Sequence, residues 1–486
     1  MSLTVSRTNI RLNPDYTKVI ARFLNTGDAR SLQIIQKVLQ LKNPEAEALL
    51  AGSLIDFAGR YKNIRSIFLK HFNFIKYLLS GDEFEALTEE RKLLLGAFFT
   101  MEYSIEAAAL FNPSIVADPD QDGVAAGHKK VIVSFRATGE SHISSMVFRR
   151  GVLDENAIIN LEPPGKFLSE GEVSQEDKDN KMTFRTLLDQ MELPPKVSSS
   201  ILDQLKDFFS YKEIEVVLKN ALSAIKLPSR QKTIKDNILD MVSSSYELHF
   251  APDSLISERV IFPVTAIEKN GIEDARWVRF TEDDGTFSYI ATYTAYNGSS
   301  IVPQLILTDD FINFKIASLS GKAAVNKNLA LFPRKINGRY AMLSRIDGIN
   351  NYLMYSDNLF VWEEAVVLQE PKYPWEFIQI GNAGSPIETG KGWLVITHGV
   401  GAMRKYCLGA SLFDINDPSQ ELGRLREPFL VPNEEERHGY VPNVVYSCGS
   451  IIHGDKLVIP YAVSDYASSF ATLPLNELLE ELLGNE

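Results

Sequence analysis

From residue 249 to 473 the chain alternates short apolar runs with polar turns. RVIFPVTAI, ARWVRF, SYIATYTAY, SIVPQLILT, RYAMLSRI, YLMYS, GWLVITHGV, YCLGASLF and KLVIPYAV follow one another, separated by Gly, Asn and Asp. Runs of this length, rich in β-branched and aromatic residues, predict strands. No helix-length pattern separates them, which argues against a parallel βαβ sheet. FNPSIV, KVIVSF and HISSMVF, from Phe111 onward, have the same character.

Two other stretches carry helical periodicity. Leu32, Ile35, Val38 and Leu39 share one face, as do Leu49, Leu50, Leu54 and Phe57, and further helices are expected over 62–79 and 87–100. Asn43-Pro44 and Gly81-Asp82 read as turns between them. The second stretch opens with the charged run SEGEVSQEDKDNK and continues through FRTLLDQM, SSSILDQLKDFF, EIEVVLKNALSAI and TIKDNILDMVSS, broken at Leu193-Pro194-Pro195 and Leu227-Pro228. The expected organisation is therefore an N-terminal helical region over 1–104, a first β segment over 105–167, a helical insertion over 168–248 and the remaining β segment over 249–486.

A weak internal repeat narrows the β architecture. ILTDDFINF at 306–314 matches MYSDNLFVW at 354–362, with Thr308-Asp309 on Ser356-Asp357 and Phe314 on Trp362. The spacing suits a β-propeller blade, in which a hydroxyl–Asp pair closes a turn and the aromatic fills the space between blades. The fold class expected is mainly β, a propeller rather than a sandwich.

Composition removes several function classes. The 486 residues carry 50 Lys and Arg against 63 Asp and Glu, a net charge of -13, which opposes general binding to nucleic acid or an anionic membrane. Two cysteines, Cys407 and Cys448, form no disulfide framework or cysteine-rich zinc module. MSLTVSRTNIRLNPDYTK lacks the apolar core of a secretory signal and no run of eighteen apolar residues occurs, so the expected compartment is the cytoplasm.

Familiar catalytic motifs are missing: no GxSxG, P-loop, HExxH or Rossmann fingerprint occurs, and the seven histidines do not cluster at metal spacing. Gly381-Asn-Ala-Gly384 reads as a tight turn with no phosphate cradle. What stands out is polar residues set in apolar β surroundings: Glu273-Asp274 just before ARWVRF, Lys327-Asn328 before ALFPRKINGRY, Arg345 at the end of AMLSR and His398 at the end of GWLVIT. In a propeller, strand ends line a central funnel where a small polar ligand is held from several blades. Spacing alone equally allows Asp274 to pair with Arg276, and Arg345 and His398 to satisfy buried carbonyls.

At these residues the chain resembles glycoside hydrolase family 130, the mannoside phosphorylases and related β-mannosidases. NGIEDARWVRF followed by YIATYTAY resembles the family's acid segment. GNAGSPIETGKGWLVITHGV, YCLGASLFDINDP, EERHGYVPNVVYSCG and IPYAVSD resemble its C-terminal half in order, LFPRKINGRYAMLSR and MYSDNLFVW its middle, and FNPSIV with VIVSFRA its first blade. The likeness covers roughly 105–165 and 255–480; the helical stretches lie outside it.

The resemblance implies a five-bladed propeller and inverting phosphorolysis of β-mannosides to α-mannose 1-phosphate, with inorganic phosphate as co-substrate and no metal or other cofactor. It implies Asp274 as general acid, acting through the 3-hydroxyl of the mannosyl residue, with Glu273 structural or touching sugar hydroxyls. Lys327, Asn328, Arg345, Gln379 and His398 fall at phosphate-binding positions, and Asn112, Arg136, Tyr406 and Asp465 at sugar-contacting ones. Lys327 stands where the family commonly carries Arg and Gln379 where it carries Lys, so the phosphate set keeps charge at one place and loses it at the other. A phosphorylase needs cations to hold its nucleophile, whereas an inverting hydrolase needs a second carboxylate to activate water. Glu376 and Glu388 flank the same region as candidates for that base. A hydrolase on the same scaffold and a non-catalytic carbohydrate-binding propeller are the alternatives. The expected partners are a β-mannoside and phosphate, with the helical regions available for a homo-oligomer interface or a lid.

Overall fold

A computed structural model describes residues 3–174, 179–181, 184–185, 188, 193–209, 211–222, 231, 234–235, 238–239 and 245–484. The chain divides into two compact units, one made of Met1–Pro14, Ala108–Pro163 and Glu170–Glu486, the other of Asp15–Ala107 with Pro164–Ser169.

The larger unit is mainly β. Its apolar runs form five antiparallel meanders, each of four consecutive neighbours in a sheet. The first is Ala109–Ala117, Lys129–Thr138, Ser144–Leu153 and Ile159–Leu161, and the second is Gly271–Thr281, Phe287–Tyr296, Ile301–Thr308 and Asn313–Ser318. The third is Lys327–Leu331, Tyr340–Arg345, Asn351–Ser356 and Ala365–Gln369, and the fourth is Gln379–Asn382, Gly392–Val400, Tyr406–Phe413 and Glu421–Arg424. The fifth runs Val445–Tyr446, Lys456–Val463, Ala467–Pro474 and is completed by Ser6–Leu12 from the other end of the chain, with Ser6 opposite Thr472.

Hydrogen bonds tie each meander to the next. The Ser114 hydroxyl accepts from Trp277 N at 3.1 Å, and the Thr292 hydroxyl donates to the Leu329 carbonyl. Asn328 Nδ2 donates to the Asn382 carbonyl at 2.9 Å, and Tyr406 N donates to the Asn443 carbonyl at 3.0 Å. Cys448 N donates to the Pro113 carbonyl at 2.9 Å, so the fifth meander returns to the first. Between these joints sit large aromatics: Trp362 is buried with Leu329, Met342 and Met354, and Trp393 with Phe332 and Leu343. Each such burial contributes about 2–3 kcal/mol.

The repeat has a physical basis one residue from where it was expected. The Thr308 hydroxyl accepts from Phe311 N at 2.9 Å, and Asp310 Oδ1 accepts from Ile312 N and Asn313 N, both at 2.8 Å. In the second copy the Ser356 hydroxyl accepts from Asn358 N at 3.0 Å and Asn358 Oδ1 from Phe360 N at 2.9 Å. Asp310 and Asn358, not Asp309 and Asp357, close the turns, because an Asx side chain bonds backbone two residues on. Phe314 and Trp362 are both buried, as expected of the repeat's aromatic.

The expectation of helix across the first hundred residues needs correcting at its start. Ser6–Leu12 and Val19–Phe23 are strands, the second paired with Thr100–Ser104, and helix begins at Asp28. Local periodicity does not reveal pairing partners this far apart. In the smaller unit Asp28–Gln40 buries Ile35 and Val38, Asn43–Phe57 buries Leu50, and Ile64–Ile75 and Glu89–Phe98 complete its core. Asn43-Pro44 and Gly81-Asp82 are first turns of helices rather than loops; Pro suits such a position, where its missing N–H costs nothing, and the Ser80 hydroxyl accepts from Glu83 N at 3.3 Å.

The insertion is helical at Pro195–Asp203 and Tyr211–Ala221 and has a core of its own, including Ile201, Phe209, Ile214 and Leu218. Strands mark its ends: Glu172–Ser174 pairs with Tyr246–His249, which pairs with Asn313–Ser318 on the edge of the second meander. The helices expected over FRTLLDQM and TIKDNILDMVSS fall largely outside the described residues. Among the described residues no helix is long and apolar enough to cross a membrane.

Candidate active site

An Asn or Asp stands near the start of the first strand in three meanders, Asn112, Asp274 and Asn328, just before it in the fifth, Asn443, and at its end in the fourth, Asn382. Four of them are left-handed, with φ of 48° at Asn112, 57° at Asp274, 67° at Asn328 and 63° at Asn443. Asn and Asp tolerate this region better than other non-glycine residues. The pairing register breaks at Phe111/Ser114, Glu273/Arg276 and Lys327/Ala330, so three of these residues sit in bulges. A bulge re-aims side chains that the regular pleat would place elsewhere.

The result is a cavity of about 210 Å³, lined by Asn112, Arg136, Asp274, Lys327, Asn328, Arg345, Gln379, His398, Tyr406 and Asp465 among others. The structure thus gathers residues scattered over 350 positions of sequence, with Glu273 immediately behind the wall. Asp274 Oδ1 accepts from Asn112 Nδ2 at 2.6 Å and from an Arg136 nitrogen at 3.3 Å. Glu273 accepts from Arg136 at 2.7 Å through one oxygen and from Lys327 Nζ at 2.7 Å through the other. Glu273 therefore acts as counter-ion to two cations, and Lys327 is tied to it. Burial would raise the proton affinity of Asp274, but Arg136, then Arg276 and Lys327, with the Asn112 hydrogen bond, hold the carboxyl below the ordinary range. Asp465 behaves oppositely: burial, then the charge of Asp274, pushes it up to about 6 against the pull of Arg136 and Arg404.

On the other wall, Asn328 and Asn382 exchange amide–carbonyl bonds of 2.9 and 2.6 Å. The Asn382 carbonyl lies 2.9 Å from His398 Nδ1, which must carry the proton because a carbonyl only accepts. Nε2 then has a lone pair, and Arg345 donates to it at 3.1 Å. Burial, then the Arg345 charge, holds His398 well below its usual range, so the ring is neutral and orients Arg345 instead of adding charge. Arg345 Nε is buried without a partner. Gly381-Asn-Ala-Gly384 is not a free turn: Gly381 and Asn382 end a strand, and a Cβ on Gly381 would lie 2.7 Å from the His398 ring.

Neither carboxylate proposed as a hydrolytic base reaches this cavity. Glu376 is fully buried, where it accepts from Lys372 N, Tyr373 N and Arg424. Glu388 forms a two-pronged pair with Arg334, at 2.8 and 2.9 Å, on a different cavity. Sequence proximity to Gln379 does not reveal which end of the strand a side chain faces. Among the described residues no group of three or more His, Cys, Asp or Glu is placed to hold a metal ion.

With this geometry in hand, comparison with known proteins assigns the chain. The profile of a family described as beta-1,4-mannooligosaccharide phosphorylase matches residues 235–483, half of the chain. The chain belongs to glycoside hydrolase family 130. Within the family, it is 37% identical over 155 residues to a 1,2-beta-oligomannan phosphorylase of Thermoanaerobacter sp. (strain X514), a match covering 32% of this chain and 52% of that protein. It is 30% identical over 241 residues to a beta-1,2-mannobiose phosphorylase of Listeria innocua, covering 48% of this chain and 65% of that protein. The match thus spans less than two thirds of each relative. A solved beta-1,2-mannobiose phosphorylase from Listeria innocua, in complex with beta-1,2-mannobiose, superposes with a TM-score of 0.45 at 20% identity over 77% of this chain and 92% of that one.

Several residues of this candidate site escaped the sequence reading. Arg404 reaches the cavity from a hairpin tip, with Val441 and Val444 beside it. The Tyr446 hydroxyl accepts from Arg276 at 2.6 Å and from Asn328 at 3.2 Å, and its ring packs 4.9 Å from His398. The recurrence of Asx at or just before the start of four of the five first strands, at Asn112, Asp274, Asn328 and Asn443, is the signal that points to this end of the strands.

Proposed function

We propose that this protein is an inverting β-mannoside phosphorylase whose five meanders are the blades of a five-bladed propeller. The joints that return the fifth meander to the first support the propeller. One observation carries the chemistry: Asp274, held by Asn112 and Arg136, shares a cavity with Arg345, whose buried Nε lacks a partner, while Glu376 and Glu388 lie elsewhere. That arrangement suits an acid on one side and an anionic nucleophile on the other.

In this reading phosphate is held by Arg345, with Gln379 and Tyr406 nearby, and attacks the anomeric carbon. The glycosidic bond breaks with inversion, and Asp274 delivers its proton to the leaving oxygen through the mannosyl 3-hydroxyl. Asp274 is ionised when its cations are unopposed. A phosphate dianion at Arg345 offsets that field and returns the carboxyl toward protonation, so phosphate arms the acid. Asn112, Arg136 and Asp465 hold the mannosyl ring, and Glu273 fixes Arg136 and Lys327.

The relatives' names direct the choice of substrate to β-1,2-mannosides first. The test is incubation with β-1,2-mannobiose and β-1,4-mannobiose, with and without phosphate. The expected product is α-mannose 1-phosphate, formed only with phosphate. Free mannose released equally well without phosphate would instead make the protein a hydrolase, with Asp465 as the carboxylate available for the base.

A further inference from the structure

The cavity opens onto a rim that the first strands do not build. Two hairpin tips stand there, one between Lys129–Thr138 and Ser144–Leu153, the other between Gly392–Val400 and Tyr406–Phe413. Their backbones are alike: each opens on a glycine, Gly139 or Gly401, and then carries two left-handed residues in succession. These are Ser141 and His142 with φ of 57° and 59°, and Met403 and Arg404 with φ of 57° and 53°. None of the four is glycine, and such backbone persists only where the surroundings over-determine it. Both tips are tied to the site, since the Ser144 hydroxyl accepts from Arg136 Nε at 2.9 Å and Arg404 lines the cavity.

The first tip carries an aromatic pair. The His142 ring lies 5.6 Å from the ring of Tyr440, with their planes 31° apart. Tyr440 is 64% exposed and precedes Val441, which lines the cavity. Core packing gives no reason for an open ring pair at the mouth of a polar pocket. Further exposed apolar side chains neighbour lining residues on the fourth meander's side of the rim: Ile378 precedes Gln379, and Met403, 88% exposed, precedes Arg404. A pyranose has an apolar C–H face and a hydroxyl edge, and an aromatic surface beside polar groups complements both.

We infer that the His142–Tyr440 ring pair is the platform for the leaving sugar, the one released when the mannosidic bond is cut. This rests on the phosphorylase reading above. The mannosyl ring occupies the polar cavity, so its partner sugar emerges at the rim, where Tyr440 is exposed beside its chain neighbour Val441, a lining residue.

The test runs the reaction in the synthetic direction, with α-mannose 1-phosphate as donor and mannose or β-1,2-mannobiose as acceptor. Tyr440→Ala is expected to raise the acceptor KM about tenfold and His142→Ala somewhat less, while KM for α-mannose 1-phosphate moves less than about twofold. Tyr440→Trp is expected to restore most of the loss. An unchanged acceptor KM in both alanine variants overturns the inference, as does an equal loss of donor and acceptor affinity. If the wild-type protein turns over no mannoside, the phosphorylase reading fails separately, and calorimetric titration with β-1,2-mannobiose decides the platform. Weaker binding by Tyr440→Ala than by wild type supports it; equal binding, or none by either, overturns it.

Discussion

Two cavities lie toward opposite ends of the first strands of the meanders, and the two differ in chemistry. At the strand starts lies the cavity of about 210 Å³ with Asp274, Arg345 and Asp465. A few residues further along the chain in each meander lies one of about 480 Å³, walled by Ile115 and Val278 of the first strands and by Ile387, Ile451 and Ile452 beyond them, with Arg334 and Glu388 paired on its edge. In the first two meanders the strand is the same and the backbone is not. At the starts the register breaks around Asn112, Asp274 and Asn328, and these left-handed residues turn polar groups inward. Beyond the breaks pairing resumes, Ser114 opposite Ser134 and Arg276 opposite Thr292, and aliphatic side chains line the cavity. Irregular backbone at strand starts builds the site; regular pleat beyond it builds a wall.

The largest effect expected from breaking this contrast is at Asp274. Asp274→Asn keeps the shape and most hydrogen bonds but cannot deliver a proton, so phosphorolysis of β-1,2-mannobiose should fall by about 10³-fold or more, with the melting temperature nearly unchanged. Retention of a tenth of the rate would end its assignment as acid. Next comes Arg345→Ala, expected to raise the phosphate KM about 100-fold while the mannoside KM changes far less, because charge-assisted bonds to phosphate are lost and the sugar contacts are not. Equal effects on both constants would place Arg345 on the sugar instead.

The same contrast explains what was legible in the sequence. The resemblance in motif order implied one site for Asp274, Arg345, His398 and Asp465, and all four line one cavity. The state of each group was not legible. His398, expected at a phosphate-binding position or on a buried carbonyl, has its Nδ1–H on the Asn382 carbonyl and its lone pair facing Arg345. Lys327, expected at a phosphate-binding position, lies on the cavity wall with its Nζ 2.7 Å from Glu273. Glu376 and Glu388 counted as bases because they flank Gln379, yet one is buried beneath Arg424 and the other faces the apolar end. Charge state and direction depend on partners brought from other meanders, and no local pattern encodes them. The N-terminal strand was missed for the same reason, since its partner lies some 460 residues away.

Smaller effects sharpen the boundary between the two ends. Gly384, at φ 131°, and Gly449 meet there: a Cβ on Gly384 would lie 2.6 Å from Gly449 Cα, and one on Gly449 would collide with Ser114 Oγ. Gly384→Ala should therefore cost about 2–4 kcal/mol, read from the denaturant midpoint. Asp465 works through pH. Its carboxyl is pushed up to about 6, by burial first and then by Asp274, so the folded chain binds its proton more tightly than the unfolded chain does. Stability is then lost as pH rises from about 4 through 6 and stays lower above. Asp465→Asn should gain roughly 1–3 kcal/mol at pH 7.5 and nothing below pH 4, measured by urea unfolding at both, while turnover falls because a sugar contact is gone.

The smallest effect is expected at Glu388, and it tests the comparison from the apolar end. Its pair with Arg334 is partly exposed, and Arg334 also stacks 4.9 Å over the Trp393 ring, so the guanidinium keeps a partner when the carboxylate is neutralised. Glu388→Gln should therefore cost less than about 1 kcal/mol. Because its side chain faces the far cavity, phosphorolysis should stay within about twofold of wild type, with no change in phosphate dependence. A hydrolytic base would behave otherwise: its loss would abolish release of mannose in phosphate-free buffer. A large drop in turnover for Glu388→Gln would mean that the two ends communicate during the reaction, and the division of labour between irregular and regular backbone would have to be given up.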